Sequence, residues 1–150
     1  MNEITGIVEQ LRQVHEGEAW HGPSVLEALA GVSAAGAAKR PLAGAHTIWE
    51  IAHHVRVTEA LVCSHVTGAA AGEEADWPTV TDTSDAAWRA ACDKLAATQK
   101  ALRDAVSKLP EARLHENIAG KSHSYYYELL GIIQHDLYHA GQISLLKKGI

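Results

Sequence analysis

The segment of residues 124–148 constrains the fold of this chain more than any other. At about 100° per residue, its apolar side chains fall on two faces of a helix and leave few positions for water. One face carries Leu129, Leu130, Ile133, Leu137 and Ala140, and the other carries Ile132, His135, His139, Gln142, Ile143 and Leu146. A helix that is apolar nearly all round is buried among other elements. We therefore expect this segment to lie inside a helical domain.

The rest of the composition favours the same all-α class. Alanine is abundant, phenylalanine is absent, only four of 150 residues are proline, and no long stretch alternates at period two. The length allows a single domain over residues 1–150 with a sizeable core and is too short to suggest two. Cys63 and Cys92 are far apart and form no CxxC motif, which is typical of free thiols in a reducing compartment.

Charge and hydropathy argue against several classes of partner. The net charge is -5 without a basic cluster, so we expect no nucleic-acid surface. No apolar run approaches the roughly 18 residues of a membrane span. Residues 1–4 show neither the basic nor the apolar part of an export signal. The expected location is the cytoplasm, with no nucleic-acid or membrane partner.

Apolar residues recur at helical spacing in four arms. In chain order these arms are residues 2–16 with a continuation at 23–30, residues 47–67, residues 84–109 and residues 124–148. Trp20 lies in the break of the first arm, where we expect it to plug the end of the core rather than line a cavity. The connection over residues 69–82 is acidic, contains glycine and is long enough to cross a bundle. The expected architecture is a four-helix bundle with a long crossover between helices 2 and 3.

His135 and His139 are four residues apart in the last arm, so both imidazoles project from one helix face, one turn apart. This spacing suits metal chelation. With ten histidines in the chain, however, about one such pair is expected by chance, and histidines on a buried helix can also simply pack. The metal interpretation depends on a third ligand.

The second arm offers two adjacent candidates for that ligand. Residues Thr47 and Glu50 form a capping-box pattern at its start. On the helical wheel His54 lies about 60° from the centre of the apolar stripe, whereas His53 lies about 160° away. We therefore expect His54 to face the core and His53 to face water. His65 is on the same flank as His54 but three turns further along, too far to join the same site.

Together, His54, His135 and His139 would form a three-imidazole ligand set for Zn²⁺, Ni²⁺ or Fe²⁺. Neutral imidazoles leave the full charge on the cation. Three protein ligands also leave one coordination position open, which is the arrangement of a catalytic site rather than a closed structural one. The metal would then carry most of the chemistry.

Metal-binding imidazoles usually donate their second N–H to an oriented acceptor. Candidates for this role are Glu50, Glu128 and Asp136. The wheel places Asp136 on a different face from His135, which weighs against it. Gln142 lies one turn beyond His139 on the same face and is a candidate to orient substrate or water at the metal.

Three segments of the chain resemble the DinB/YfiT-like superfamily of metal-binding four-helix bundles. They are residues 19–24 (AWHGPS), 44–55 (GAHTIWEIAHHV) and 131–143 (GIIQHDLYHAGQI). The H-x3-H-x-G-Q pattern of the last segment is the most specific. In this family one histidine of the second helix and two of the last helix bind the metal, and the resemblance carries those positions onto His54, His135 and His139.

The resemblance also implies that the second and third helices run parallel and that the protein is a homodimer. Relatives include thiol transferases that use bacillithiol and isomerases that use mycothiol, so the implied activity is metal-dependent transfer involving a small-molecule thiol. The fold does not fix the substrate. A metal-dependent hydrolase, a non-catalytic stress-related protein whose metal pins the helices together, and a plain bundle whose histidines only pack are the alternatives.

Overall fold

Four long helices dominate the computed structural model, which describes residues 2–150. In chain order the α-helices are α1 (Glu3–Glu16), α2 (Val25–Leu29), α3 (Ala34–Ala38), α4 (Ile48–Thr67), α5 (Asp85–Val106) and α6 (Tyr125–Leu146). No strand forms within residues 2–150, and the expected all-α class is confirmed. Over the same residues, no helix combines the length and the apolar character needed to cross a membrane.

Side-chain caps fix where the long helices begin. The Thr47 side chain accepts from the backbone N–H of Glu50, and the Glu50 carboxylate accepts from the backbone N–H of Thr47, as the sequence pattern predicts. The side chains of Ser84 and Ser124 accept from the backbone N–H groups of Ala87 and Tyr127 and so cap α5 and α6 without the reciprocal bond. Each cap of this kind contributes about 1 kcal/mol. The register of α4 and α6, and with it the facing of their histidines, is thus set by local sequence.

The first arm is broken as expected, but Trp20 does not plug the core. Residues 17–24 are non-helical, and the arm continues in α2 after the Ser24 cap. Trp20 is wholly exposed, with 101% of its reference area accessible. The plug prediction is therefore wrong. The adjacent helix α2 contributes buried Val25 and Leu29 to the core instead.

Two apolar clusters along the bundle show how the helices run. One contains Ile48 and Trp88 from the N-terminal ends of α4 and α5 with the C-terminal half of α6. The other contains Val66 and Val106 from the C-terminal ends of α4 and α5 with the beginnings of α1 and α6. Helices α4 and α5 are therefore parallel, and α1 and α6 are antiparallel to them.

Because α4 and α5 are parallel, residues 69–83 must return along the length of the bundle. We call this segment, which forms neither helix nor strand, the strap. No backbone-to-backbone hydrogen bond joins it to the rest of the described chain. Its attachments are side-chain contacts, among them those of Glu74 with Arg56 and with Lys94. The strap thereby lies over the outer face of α4 and brings acidic residues to it.

Candidate metal centre

Three histidines meet between α4 and α6, beneath the strap. They are His54 from α4 and His135 and His139 from α6, and one ring nitrogen of each lies within 4.8 Å of the other two. Among the described residues, this is the group of histidine, cysteine and carboxylate side chains that could hold a metal ion. The structure thus brings together the three side chains selected by the helical wheel, while their role as ligands stays a prediction.

The three rings present edges to one another, and their nitrogens converge. Nε2 of His54 is 2.9 Å from Nε2 of His135. The ring planes are inclined by 54° for His54 and His135, 77° for His54 and His139, and 71° for His135 and His139. Imidazole nitrogens bound tetrahedrally at about 2.0–2.1 Å from zinc lie about 3.3 Å apart. The 2.9 Å between Nε2 of His54 and Nε2 of His135 is therefore close to the spacing that a shared cation would impose.

An oxygen acceptor lies against Nδ1 of every imidazole in the group. A carboxylate or amide oxygen can only accept, so each Nδ1 carries the hydrogen and each Nε2 presents a lone pair. The three contacts are His54 Nδ1 to Asp76 Oδ1 at 2.5 Å, His135 Nδ1 to Asp136 Oδ1 at 3.0 Å, and His139 Nδ1 to Gln142 Oε1 at 2.6 Å. All three rings are thereby held in the tautomer that a metal requires at Nε2.

Gln142 and Glu50, two of the four residues named as candidates around the site, have different places in the structure. Gln142 contacts His139, but as the acceptor for its Nδ1. Glu50 makes no hydrogen bond or ion pair with any of the three histidines. Its carboxylate accepts from the Thr47 N–H at 2.8 Å and pairs with Arg40 at 2.9 Å and His46 at 3.2 Å. The capping box holds Glu50 at the start of α4, facing the preceding loop.

Asp136 holds His135 although the two residues leave the helix in different directions. The Asp136 side chain is fully buried in the core, yet its short carboxylate reaches sideways to Nδ1 of the neighbouring ring. The argument against Asp136 from the wheel is therefore wrong, because it considered only the direction of the Cβ. Glu128, the other candidate on α6, pairs instead with His65 at 2.8 Å.

Sequence reasoning missed Asp76, the acceptor for His54. Asp76 belongs to the strap, which has no periodicity from which a facing could be predicted. The one available signal was the acidic character of a segment long enough to cross back over α4. The strap also covers His53, whose Nε2 lies 3.2 Å from the carbonyl oxygen of Ala75. His53 is therefore half-buried, whereas the helical wheel predicted that it faces water.

Burial favours the neutral form of two rings of the group, His54 and His139. It lowers the pKa of His54 below its ordinary value, against the opposing effect of Asp76. It also lowers the pKa of His139 to about 4, against the opposing effect of the hydrogen bond that His139 donates to Gln142. Only a neutral imidazole can bind a metal. At neutral pH, His54 and His139 are therefore in the state that metal binding requires.

Cavities open on both sides of the histidine group. The first, of about 500 Å³ between α4 and the strap, reaches His54 and His135 and is bordered by Arg56 and Glu74. The second, of about 440 Å³, reaches His139. Its walls include Leu42, Trp77, Tyr138 and Leu145. These volumes suit small organic molecules rather than macromolecules.

Trp77 of the strap lines the second cavity and covers part of the group. Its indole stacks on His54 with a centroid distance of 4.0 Å and on His46 with one of 3.7 Å, both within 12° of parallel. The strap thus contributes both an acceptor and an aromatic cover to the site.

The fold and the site together define a class: a helical bundle with a candidate three-histidine metal centre between its second and fourth long helices. The family model described as the DinB superfamily matches residues 19–143. The chain belongs to the DinB superfamily. No curated protein and no solved structure matches it significantly.

Proposed function

We propose that the protein binds one divalent transition metal, Zn²⁺, Ni²⁺ or Fe²⁺, through Nε2 of His54, His135 and His139. The observation that carries this proposal is the set of three oxygen acceptors, one against Nδ1 of each ring. With Nδ1 protonated on both His54 and His135, two lone pairs face each other at 2.9 Å. Such a contact is unfavourable unless a cation or a shared proton lies between the nitrogens. A set of imidazoles without direct carboxylate ligands also suits these metals better than Mg²⁺ or Ca²⁺.

We further propose that the metal-loaded protein is a transferase acting on a small-molecule thiol. A bound divalent metal supplies a Lewis acid that lowers the pKa of a thiol or of water placed beside it. The chain itself offers no activated thiol, since burial raises the pKa of both Cys63 and Cys92. The activated thiol of this proposal is therefore an external one rather than Cys63 or Cys92.

In this proposal the chain positions the reactants. Asp76, Asp136 and Gln142 hold the rings, and Trp77 shields His54 from solvent. The two cavities provide separate places for a thiol and for the molecule with which it reacts. A homodimeric state and a cytoplasmic location stay predictions from the resemblance and the sequence.

Elemental analysis of protein purified without a histidine tag or chelator tests the metal site. We expect about one equivalent of a transition metal per chain, and none in the double variant His54→Ala, His135→Ala. His65→Ala is the matched control, because His65 also lies between α4 and α6 but pairs with Glu128. If the native protein contains no metal, even after incubation with Zn²⁺ and Ni²⁺, the three histidines only pack and the proposal is wrong.

The reaction is tested with metal-loaded protein, a panel of low-molecular-weight thiols and a chromogenic electrophile. Thiol consumption that disappears in the double variant supports transfer. Turnover of a chromogenic ester without a thiol would point to the hydrolase instead. A non-catalytic metal would give neither reaction, together with a large loss of thermal stability on chelation.

A further inference from the structure

The second cavity of the site, the one that reaches His139, has a wall without formally charged side chains. Among the described residues, no aspartate, glutamate, lysine or arginine lines it. The first cavity differs, because Arg56, Glu74 and Asp76 all line it. A charged group that leaves water without gaining a partner is unfavourable. The two cavities therefore suit ligands of different polarity, and the second suits an uncharged one.

The charged residues that adjoin this wall in the sequence are engaged elsewhere. They are Glu50, Asp76 and Lys147. Glu50 is held by the cap of α4 and by Arg40, and Asp76 accepts from His54. The Lys147 ammonium group donates to backbone carbonyl oxygens at the C-terminal end of α2. Each charge therefore has a partner outside the second cavity, which leaves its wall apolar.

Large apolar side chains are exposed around this cavity. Leu42 is 49% exposed, Tyr138 is 66% exposed and Leu145 is 61% exposed, and all three line the cavity. Leu42 comes from the loop before α4, whereas the other two come from α6, so tertiary structure gathers them into one patch. Apolar side chains that gather at a cavity are typical of a binding site that a ligand covers.

Aromatic rings beside His139 indicate the shape of that ligand. The Tyr138 and His139 ring centroids are 5.2 Å apart with planes inclined by 74°. The Trp77 and His139 centroids are 6.3 Å apart with planes inclined by 65°. A planar ring finds both stacking and edge-to-face partners in such a wall, and a volume of about 440 Å³ accommodates a small aromatic molecule.

We propose that the second cavity binds an uncharged, apolar small molecule with an aromatic ring, which the exposed side chains of Leu42, Tyr138 and Leu145 cover. The inference deepens the proposed function and rests on it for the role of the ligand, which is the molecule with which the thiol reacts. The thiol then occupies the first cavity, whose wall is charged. Because His139 lines the second cavity, the ligand lies beside the three histidines.

The test is a fluorescence titration of Zn²⁺-loaded protein with N-phenyl-1-naphthylamine, an uncharged aromatic probe whose emission rises in apolar surroundings. We expect saturable binding to the native protein. Leu145→Asp should weaken binding at least about tenfold, because an unpaired carboxylate then borders the apolar ligand. Leu145→Met should bind within about twofold of the native protein, because that substitution conserves both volume and polarity.

Leu61→Asp is the matched control. Leu61 is also an exposed leucine on a long helix, 41% exposed, but it lines the first cavity. This substitution should leave the affinity for the probe within about twofold of the native value, because it changes a separate cavity. Native affinity in Leu145→Asp, or an equal loss in Leu61→Asp, would overturn the inference. So would a native protein that does not bind the probe.

Sedimentation of the same variants separates a ligand from a second copy of the chain. If Leu145→Asp converts a dimer into a monomer and leaves probe binding unchanged, a second copy covers the patch and the inference is wrong. If Leu145→Asp does not fold, Leu42→Asp replaces it, because Leu42 lies in a loop and its substitution disturbs no helix. Native affinity in Leu42→Asp would then overturn the inference.

The proposed function fails by a different result. If the protein binds no Zn²⁺, the proposed function is wrong, and the titration of the metal-free protein still decides whether the second cavity takes an apolar ligand. If Zn²⁺ binds and the probe does not, the inference is wrong and the metal site stands.

Discussion

Histidines lie at two places between α4 and α6 or the residues just before it, and the two places differ in what the rest of each ring faces. Towards the C-terminal end of α4, one carboxylate oxygen of Glu128 lies 2.8 Å from His65 Nδ1 and 3.7 Å from His123 Nε2. Towards its N-terminal end, a separate oxygen lies against Nδ1 of each of His54, His135 and His139, and one nitrogen of each ring lies within 4.8 Å of the other two. A carboxylate shared by two rings holds them locally. Rings that each have their own acceptor and face one another can share a cation.

We expect the largest difference between the two places in the metal content of their variants. His139→Ala removes one of three ligands and leaves a two-histidine site that is incomplete, so we expect no stoichiometric metal by elemental analysis. His65→Ala should retain the native metal content. Loss of metal from the His65 variant instead would show that the two places are not distinct.

His15 on α1 differs from the histidines of both places, because it is buried and its ring nitrogens have no hydrogen-bond partner. Its folded-state pKa of about 4 lies below the ordinary 6.5. The neutral His15 ring therefore makes its full contribution to the free energy of unfolding above pH 6.5. That contribution is lost as the pH falls towards 4. The difference corresponds to about 3 kcal/mol in the free energy of unfolding.

Urea denaturation of the metal-free protein across this pH range measures that loss. His15→Leu should flatten the dependence by about the same amount, since an apolar side chain has no proton to take up. An unchanged slope in the variant would contradict a neutral, buried His15.

We expect a smaller effect on metal affinity from the oxygens that accept from Nδ1 of the three histidines. Asp76→Ala removes the acceptor for His54 Nδ1 and should weaken metal binding about 10–100-fold. Glu128→Ala removes a carboxylate of the other place and should leave metal affinity unchanged. Competition titration with a chromogenic chelator measures the metal affinities of the two variants. Equal losses would mean that both act through overall charge rather than by orienting a ring.

The smallest effect is the energy of the His65–Glu128 pair itself. Both side chains are partly buried, and a hydrogen bond of this kind contributes about 1 kcal/mol. A double-variant cycle with His65→Ala and Glu128→Ala, followed by thermal unfolding with and without Zn²⁺, measures the coupling. A coupling that changes when the metal is added would show that the two places communicate.

Much of the three-histidine group could be predicted because helical geometry is local. The spacing of His135 and His139, and the choice of His54 over His53, follow from 3.6 residues per turn and the position of the apolar stripe. The caps at Thr47 and Ser124 fix the register in which those residues appear. These relations need only the neighbouring sequence.

The oxygens around the rings depended on tertiary structure. Asp76 reaches His54 only because the strap returns along α4, and its path is determined by contacts with α4 and α5 rather than by any repeat of its own. Glu50 was already engaged by its cap and by Arg40. Periodicity predicts which way a side chain leaves its helix, but only packing between elements decides which group it meets.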